Sequence, residues 1–325
     1  YENNMKNILL LLLFCVLISC KNEKSSNTYS YNLKASEIIK SFVLDSDVKY
    51  NAFYLYTFSD DKGKEYLTFL NYRTNQILFY DLETTDFLFK LNLNSEGPHG
   101  VVQPTGLYVK DLNHIYVSSY AYSGLMRVDT TCHIIQKIPY GITSKGYNVL
   151  PSYTPSSHPY IAPVIIDKKI YITQNAIDRF HPIVDTPLSV VIDTVQKSCE
   201  DLPLTYGILT EKELAIKDPR FSRVFNGKEF IYSFYVSEDI VVTSVDHSEV
   251  KKISVKSKYL DSPIVKQEVS ERGPQLNLEL ARYGDLIYDP YREVYYRFVY
   301  PKTTLEDNIR WWGKSVEGKN FQLLY

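Results

Sequence analysis

The chain is 325 residues long, enough for two small domains or one large repeat fold, and 44% of it is hydrophobic, a share that excludes a mostly disordered protein. Its 36 Lys and Arg against 38 Asp and Glu leave a formal charge of -2, too balanced for a polyanion-binding surface, so no nucleic-acid partner is expected. With 29 Tyr and 15 Phe against 13 Gly and 2 Met, the composition favours pleated, half-buried surfaces and predicts an all-β fold.

Tyr1 to Asn4 precede Met5, which reads as the natural start. After Lys6 an apolar run extends from Ile8 to Ile18 and ends at Ser19-Cys20. Eleven apolar residues are too few to span a hydrocarbon core about 30 Å thick, so the run reads as a signal-peptide core, not a membrane helix. Leu17-Ile18-Ser19-Cys20 resembles the bacterial lipobox, in which a peptidase cuts before a Cys that carries diacylglycerol. Acyl chains contributing about 0.8 kcal/mol per buried methylene then hold the protein on the membrane. The polar stretch from Lys21 to Ser30 has almost nothing to bury and reads as a tether. The expected layout is upstream residues and signal peptide over 1–19, lipidated Cys20 and tether over 20–35, and the folded domain over 36–325. The expected address is the outer membrane of the cell envelope, on its periplasmic face or at the cell surface. Export permits disulfides, and once Cys15 and Cys20 are set aside, Cys132 and Cys199 are either a pair or two free thiols.

From Tyr50 onward, short aromatic and β-branched runs alternate with Asp, Asn, Gly, Ser and Pro, the pattern of many short strands. Tyr66, Tyr116, Tyr171, Tyr232 and Tyr295 recur within similar runs, at spacings of 50, 55, 61 and 63 residues. A run before each Tyr supplies a preceding strand, as in Tyr50 to Phe58, Gly106 to Lys110, Ile161 to Asp167, Phe221 to Phe225 and Leu278 to Tyr288. A run after it ends in Asp81, Asp129, Asp193 or Asp246, whose carboxylate can bond the next turn. A last run closes the unit at Phe87 to Leu93, Ile134 to Tyr140, Leu202 to Leu204 and Val250 to Val255. Four antiparallel strands repeated at this period predict a β-propeller, with a Tyr-rich β-sandwich as the alternative. Thr210 and Glu213 form a capping box that predicts a short helix before Pro219, and Ser36 to Val43 reads as a second helix. Five blades are visible, and the run Phe321 to Tyr325 resembles Ile77 to Tyr80, so the expectation is a six-bladed propeller with its last blade or blades truncated.

The segment Glu96-Gly97-Pro98-His99-Gly100, followed by Pro104 and the strand His114 to Ser119, resembles a family of six-bladed, NHL-like β-propeller lipoproteins of unknown function from Gram-negative gut bacteria. The run Tyr283 to Phe298 is similar to that family's late-blade signature. The resemblance covers about Tyr50 to Tyr325, although His99 stands where the family has Asn. It implies a fold and an envelope location, and no activity.

The nucleophile elbow, metalloprotease helix, P-loop and dinucleotide fingerprints are all missing from the sequence. No His/Cys cluster has metal-site spacing, and neither a metal nor a cofactor is expected. Glu96 and His99 project from a Gly-bounded turn and could present an acid and a base, or simply cap that turn. The echo Glu271-Arg272-Gly273-Pro274 favours the turn role. Arg179 and His181 lie in a long loop of the third repeat, Arg220 and Arg223 at the entry to the fourth, and Arg282, Arg292 and Arg297 in the fifth. Such guanidiniums can fork onto a carboxylate or phosphate, or pair with nearby Asp side chains. Trp311-Trp312, Tyr54, Tyr56, Tyr72, Tyr120 and Tyr122 could stack on a ligand or pack between blades. The resulting expectation is an envelope lipoprotein, membrane-bound through Cys20, whose propeller is a non-catalytic binding module for a peptide, glycan or protein partner. An axial-channel lyase or hydrolase and a structural subunit of an envelope complex are the alternatives. The ligand-binding candidates are Glu96, His99, Arg179, His181, Arg220, Arg223, Arg282 and Arg297, and convergence at one mouth of the channel would favour the enzyme.

Overall fold

Each repeat of the sequence folds as its own antiparallel sheet, with strands in chain order. The computed structural model describes residues 39–44, 46, 48, 53–143, 162–174, 183–216, 218, 220–260, 281–302 and 323–324. The signal segment, Cys20, the tether, Arg179, His181, Glu271 to Pro274 and Trp311-Trp312 lie outside the described residues. The first sheet is Phe53–Ser59 (β2), Glu65–Asn71 (β3), Gln76–Asp81 (β4) and Phe87–Asn92 (β5), and the second is Pro104–Asp111 (β6), His114–Ser119 (β7), Tyr122–Val128 (β8) and Ile134–Pro139 (β9). The third is Val164–Ile166 (β10), Lys169–Thr173 (β11), Ser189–Asp193 (β12) and Ser198–Asp201 (β13), and the fourth is Phe221–Phe225 (β14), Phe230–Phe234 (β15), Asp239–Thr243 (β16) and Val250–Ser254 (β17). Among the described residues the fifth sheet holds two strands, Arg282–Asp289 (β18) and Val294–Tyr300 (β19). A further short pair joins Ile39–Lys40 (β1) to Leu323–Leu324 (β20), so part of the segment expected as a helix, Ser36 to Val43, is a strand.

The five recurring tyrosines occupy β3, β7, β11, β15 and β19, the second strand of five different sheets, which removes the sandwich alternative. Each sheet is short because local chemistry closes its turns. Asp81 Oδ1 accepts the N–H groups of Glu83 and Thr84 at 2.9 and 3.0 Å, and Asp193 Oδ1 accepts those of Val195 and Gln196, both at 2.9 Å. Asp129 Oδ1 accepts from Thr131 and His133, and Asp246 Oδ1 from Ser248. These bonds hold Asp81 and Asp246 down at about 2, the first mainly through the Thr84 N–H and the second mainly through the Ser244 hydroxyl. The helix Glu211–Ala215 (α1) starts at the expected capping box: Thr210 N–H reaches Glu213 Oε2 at 2.8 Å, and Glu213 N–H returns to Thr210 Oγ1 at 3.4 Å. The last strand of the third sheet is Ser198–Asp201, not Leu202 to Leu204 as the apolar pattern suggested. Pro203 has no N–H to donate, so the pairing turns irregular beyond Asp201: Leu202 N–H still donates to Ser189 O at 3.0 Å and Leu204 O accepts from Leu188 N–H at 2.9 Å, while the Leu202 and Leu204 side chains join the buried layer between the third and fourth sheets.

Neighbouring sheets pack face to face, which is what a ring of blades requires. In β4, Ile77 and Phe79 face Leu107, Val109 and Val117 of the second sheet, while Leu78 and Tyr80 pack with Phe42 on the opposite face. Tyr108, Tyr116 and Leu125 then meet Ile170, Ile172 and Val190. Tyr171 and Leu188 meet Phe221, Phe230 and Phe234, and Val224 and Ile231 meet Leu286. The exposed edge lies on the last strand of a sheet: β17 is exposed along its whole length. The architecture is an all-β propeller with the first strand of every sheet innermost. Cys132 and Cys199 are free thiols in different layers, the first between sheets one and two and the second between sheets two and three, so the disulfide alternative falls. Burial pushes the Cys199 thiol up to about 12.

Candidate functional site

A cavity of about 510 Å³ opens where the innermost strands meet. Its wall takes Tyr56 from β2, Tyr108 from β6, Ile165 from β10, Phe225 from β14, and Ile287 and Tyr288 from β18, one sector from each of the five sheets. Residues from both sides of the pleat reach the opening, as Val164 and Ile165 of β10, Arg223 to Phe225 of β14 and Ile287 and Tyr288 of β18 do, because a first strand turns its edge to the axis while its side chains alternate between the two neighbouring layers. The tyrosine rings are held from behind, Tyr108 stacking on Tyr116 at 6.2 Å and Tyr288 lying 5.0 Å from Tyr295. Desolvation raises the Tyr56 and Tyr108 phenols above their ordinary values, so both stay protonated donors. Asn226 fastens one rim: its Oδ1 accepts from Lys228 and Glu229, and its Nδ2 donates to Tyr295 Oη at 2.8 Å, joining the fourth sheet to the fifth.

One wall residue carries a permanent charge. Arg223, on β14, is 1% exposed and reaches back into the third sheet. Its two terminal nitrogens donate to Ser189 Oγ at 2.9 Å, Ala162 O at 2.9 Å and Tyr171 O at 3.0 Å, and the guanidinium lies 4.9 Å from the Phe230 ring centre. Its Nε–H has no hydrogen-bond partner. Behind it runs a buried chain: Ser189 Oγ lies 2.7 Å from Tyr232 Oη, which lies 2.5 Å from His247 Nε2. His247 Nδ1–H donates to Val245 O at 3.2 Å, so Nε2 accepts from Tyr232, whose oxygen accepts from Ser189. Burial, followed by the Arg223 charge, holds His247 down at about 4. Sequence reasoning missed Ser189 because it acts across repeats, and His247 because its enclosure beside Tyr232 comes only with the folded fourth sheet.

Most sequence candidates lie elsewhere. Glu96 is exposed in the turn between β5 and β6, which Gly97 shapes at φ +86. His99 is committed to structure: its Nδ1 accepts the Ile134 N–H at 3.1 Å, and its ring stands edge-on to His133 at 4.9 Å. A Cβ on Gly100 would stand 2.9 Å from the Glu96 backbone, so the motif is a tight turn bound to the second sheet. Arg220 forks onto Asp218 with two bonds of 2.7 Å and covers the Tyr235 ring at 5.0 Å. Arg282 covers Tyr300 at 4.6 Å, close enough to Arg220 for the two charges to interact. The structure thus brings Arg220 and Arg282 together, outside the cavity wall.

Arg297 is the clearest correction. It was expected at a ligand, and all its donors are instead spent on the fourth sheet: Nε to Ser233 Oγ at 2.8 Å, one terminal nitrogen to Glu238 O and Val255 O at 3.0 and 3.4 Å, the other to Phe234 O and Ser237 O at 3.1 and 2.7 Å. The guanidinium also lies 3.6 Å from the Tyr283 ring centre, and burial lowers it to about 10. Among the described residues, Arg223 is the one sequence candidate that lines the cavity, and Tyr56 the one tyrosine flagged with them that does.

No curated protein matches the chain. Among solved structures, a member of the DUF4221 family from Bacteroides vulgatus ATCC 8482 is similar at 23% identity, covering 84% of this chain and 78% of its own, with a TM-score of 0.68. A protein described as exported, from Bacteroides fragilis NCTC 9343, is similar at 11% identity, covering 82% of this chain and 75% of its own, with a TM-score of 0.49. A streptogramin B lyase is similar at 14% identity over 68% of this chain and 74% of its own, with a TM-score of 0.37. The sequence model of DUF4221, a domain of unknown function, matches residues 30–324, and the chain belongs to that family.

Proposed function

We propose that this protein is a lipid-anchored envelope protein whose propeller is a non-catalytic binding module, receiving a ligand of small-molecule size in the axial cavity. The observation that carries the reading is the cavity itself: about 510 Å³, within the range of ordinary ligand pockets, with a mostly apolar and aromatic wall contributed by all five sheets. The residues that would have supplied acid–base chemistry favour binding over catalysis by their placement, since Glu96 sits in an exposed turn and His99 is bonded to a backbone N–H. The anchor rests on the apolar run Ile8 to Ile18 followed by Ser19-Cys20.

The test is a thermal-shift screen of small molecules on the protein and on Ile287→Trp, which fills the cavity from β18. Compounds that raise the melting temperature of the parent and leave the variant unmoved support the reading. A screen in which every compound acts equally on both overturns it. In the same cells, Cys20→Ala is expected to abolish radiolabelled palmitate incorporation, and unchanged labelling would refute the anchor.

A further inference from the structure

We infer that the ligand of the axial cavity is a monoanion, a carboxylate on a flat apolar body, held by the charge of Arg223; this rests on the binding reading above. A buried guanidinium is costly to keep unless an opposite charge compensates it. Arg223 has three hydrogen-bond acceptors, two backbone carbonyls and a serine hydroxyl, all neutral. Neither Asp nor Glu is found among the residues that line the cavity or bond to Arg223 in the described structure. The groups behind it cannot supply the missing charge either, because Tyr232 is held protonated and His247 neutral by burial.

The wall therefore combines one uncompensated positive charge with a rim of rings from Tyr56, Tyr108, Phe225 and Tyr288, and the Arg223 Nε–H lies buried beside it without a hydrogen-bond partner. A carboxylate supplies a single negative charge against the single positive one, and it can accept from the protonated phenols. A planar body fills the space between the rings. A phosphate dianion would bring a second charge that nothing described in the wall matches.

The experiment is titration calorimetry on the protein with benzoate, 2-naphthoate and indole-3-acetate, each beside its uncharged amide. At least one carboxylate is expected to bind at least about tenfold more tightly than its amide, and Ile287→Trp is expected to abolish that binding. Because the charge is buried, the preference should change less than about threefold between low and high salt. Arg223→Lys, which keeps the charge, should retain part of the preference, and Arg223→Met should erase it. The comparison of carboxylate with amide on the unaltered protein does not depend on either variant folding. Equal binding of acid and amide, or neutral compounds alone lost in Ile287→Trp, would overturn the anion inference and leave the binding reading standing. If no compound is lost in Ile287→Trp, the binding reading falls, and this inference with it.

Discussion

Arg297→Met tests whether arginines that looked like ligand contacts are inter-sheet struts. The side chain spends five hydrogen bonds on the fourth sheet and stacks on Tyr283. Bonds from a charged donor contribute about 1.5–3 kcal/mol each in isolation, but they are not additive. Met keeps the apolar stem, and two of the four carbonyls keep backbone partners: Phe234 O accepts from Ser237 N–H and Glu238 O from Val255 N–H. The expected loss is therefore about 3 kcal/mol, well below the sum, which for a domain of this size lowers the melting temperature by about 6 °C or more. Arg297→Lys should recover less than half of it, since an ammonium cannot fork onto carbonyls spread along two loops. Arg292→Met is the control: its partner Asp289 lies 2.7 Å away, but the arginine side chain is 72% exposed, so the unfolding midpoint should stay at the parent's within the error of the assay. Urea and thermal unfolding followed by circular dichroism measure all three. Should Arg297→Met unfold within about 1 °C of the parent, the strut argument is wrong.

Acid should destabilise the propeller through its turn carboxylates. Asp81 and Asp246 titrate at about 2 in the folded protein, below the roughly 3.9 of an unfolded chain, so their contribution is present above that unfolded value and is lost as pH falls through the folded one. Urea midpoints should hold steady down to about pH 5 and fall between about pH 4 and 2, less steeply in Asp81→Asn; a midpoint that rises on acidification would contradict the assignment. Gly124→Ala, within β8, places a Cβ 2.4 Å from Ile138 O and 2.6 Å from the Tyr122 ring, and the backbone oxygen has no free rotor to move aside. A loss of about 2 kcal/mol in the same assay is expected, and a neutral result would show that β8 and β9 can separate without cost.

What the sequence disclosed was local. Tyr66, Tyr116, Tyr171 and Tyr232 mark the second strand of their sheets because that strand is covered on both sides and demands large side chains at a fixed pleat position, whereas Tyr295 holds the same place on β19 while 39% exposed. The turn Asp residues were readable for the same reason, the N–H donors they accept from being only two to four residues away. The candidate site was not readable, because it is built from long-range contacts. Arg223 and Ser189 are 34 positions apart, and Arg297 and Ser233 are 64 apart, so both arginines read as loose strand-end charges. The cavity wall draws on residues five to ten positions before each recurring Tyr, as Tyr56 stands to Tyr66 and Ile165 to Tyr171, but nothing in one repeat shows that these positions border a cavity. His247 carried no signal, since a histidine beside a turn Asp looks solvated until the fold encloses it.

The sectored wall makes the pocket open to piecemeal change. Each of the five first strands commits only a few side chains to the cavity and uses its backbone to pair with its own second strand, so exchanging a wall residue alters one side of the bound molecule without disturbing the pairing of another blade. Tyr56, Ile165 and Tyr288 stand on separate sheets and can vary independently, whereas Arg223 cannot, because it also ties the fourth sheet to the third. On the binding role proposed above, related chains would be free to diversify the shape of what they hold while the charge at its base stays fixed, a division of labour in which selectivity drifts and the anchoring group does not.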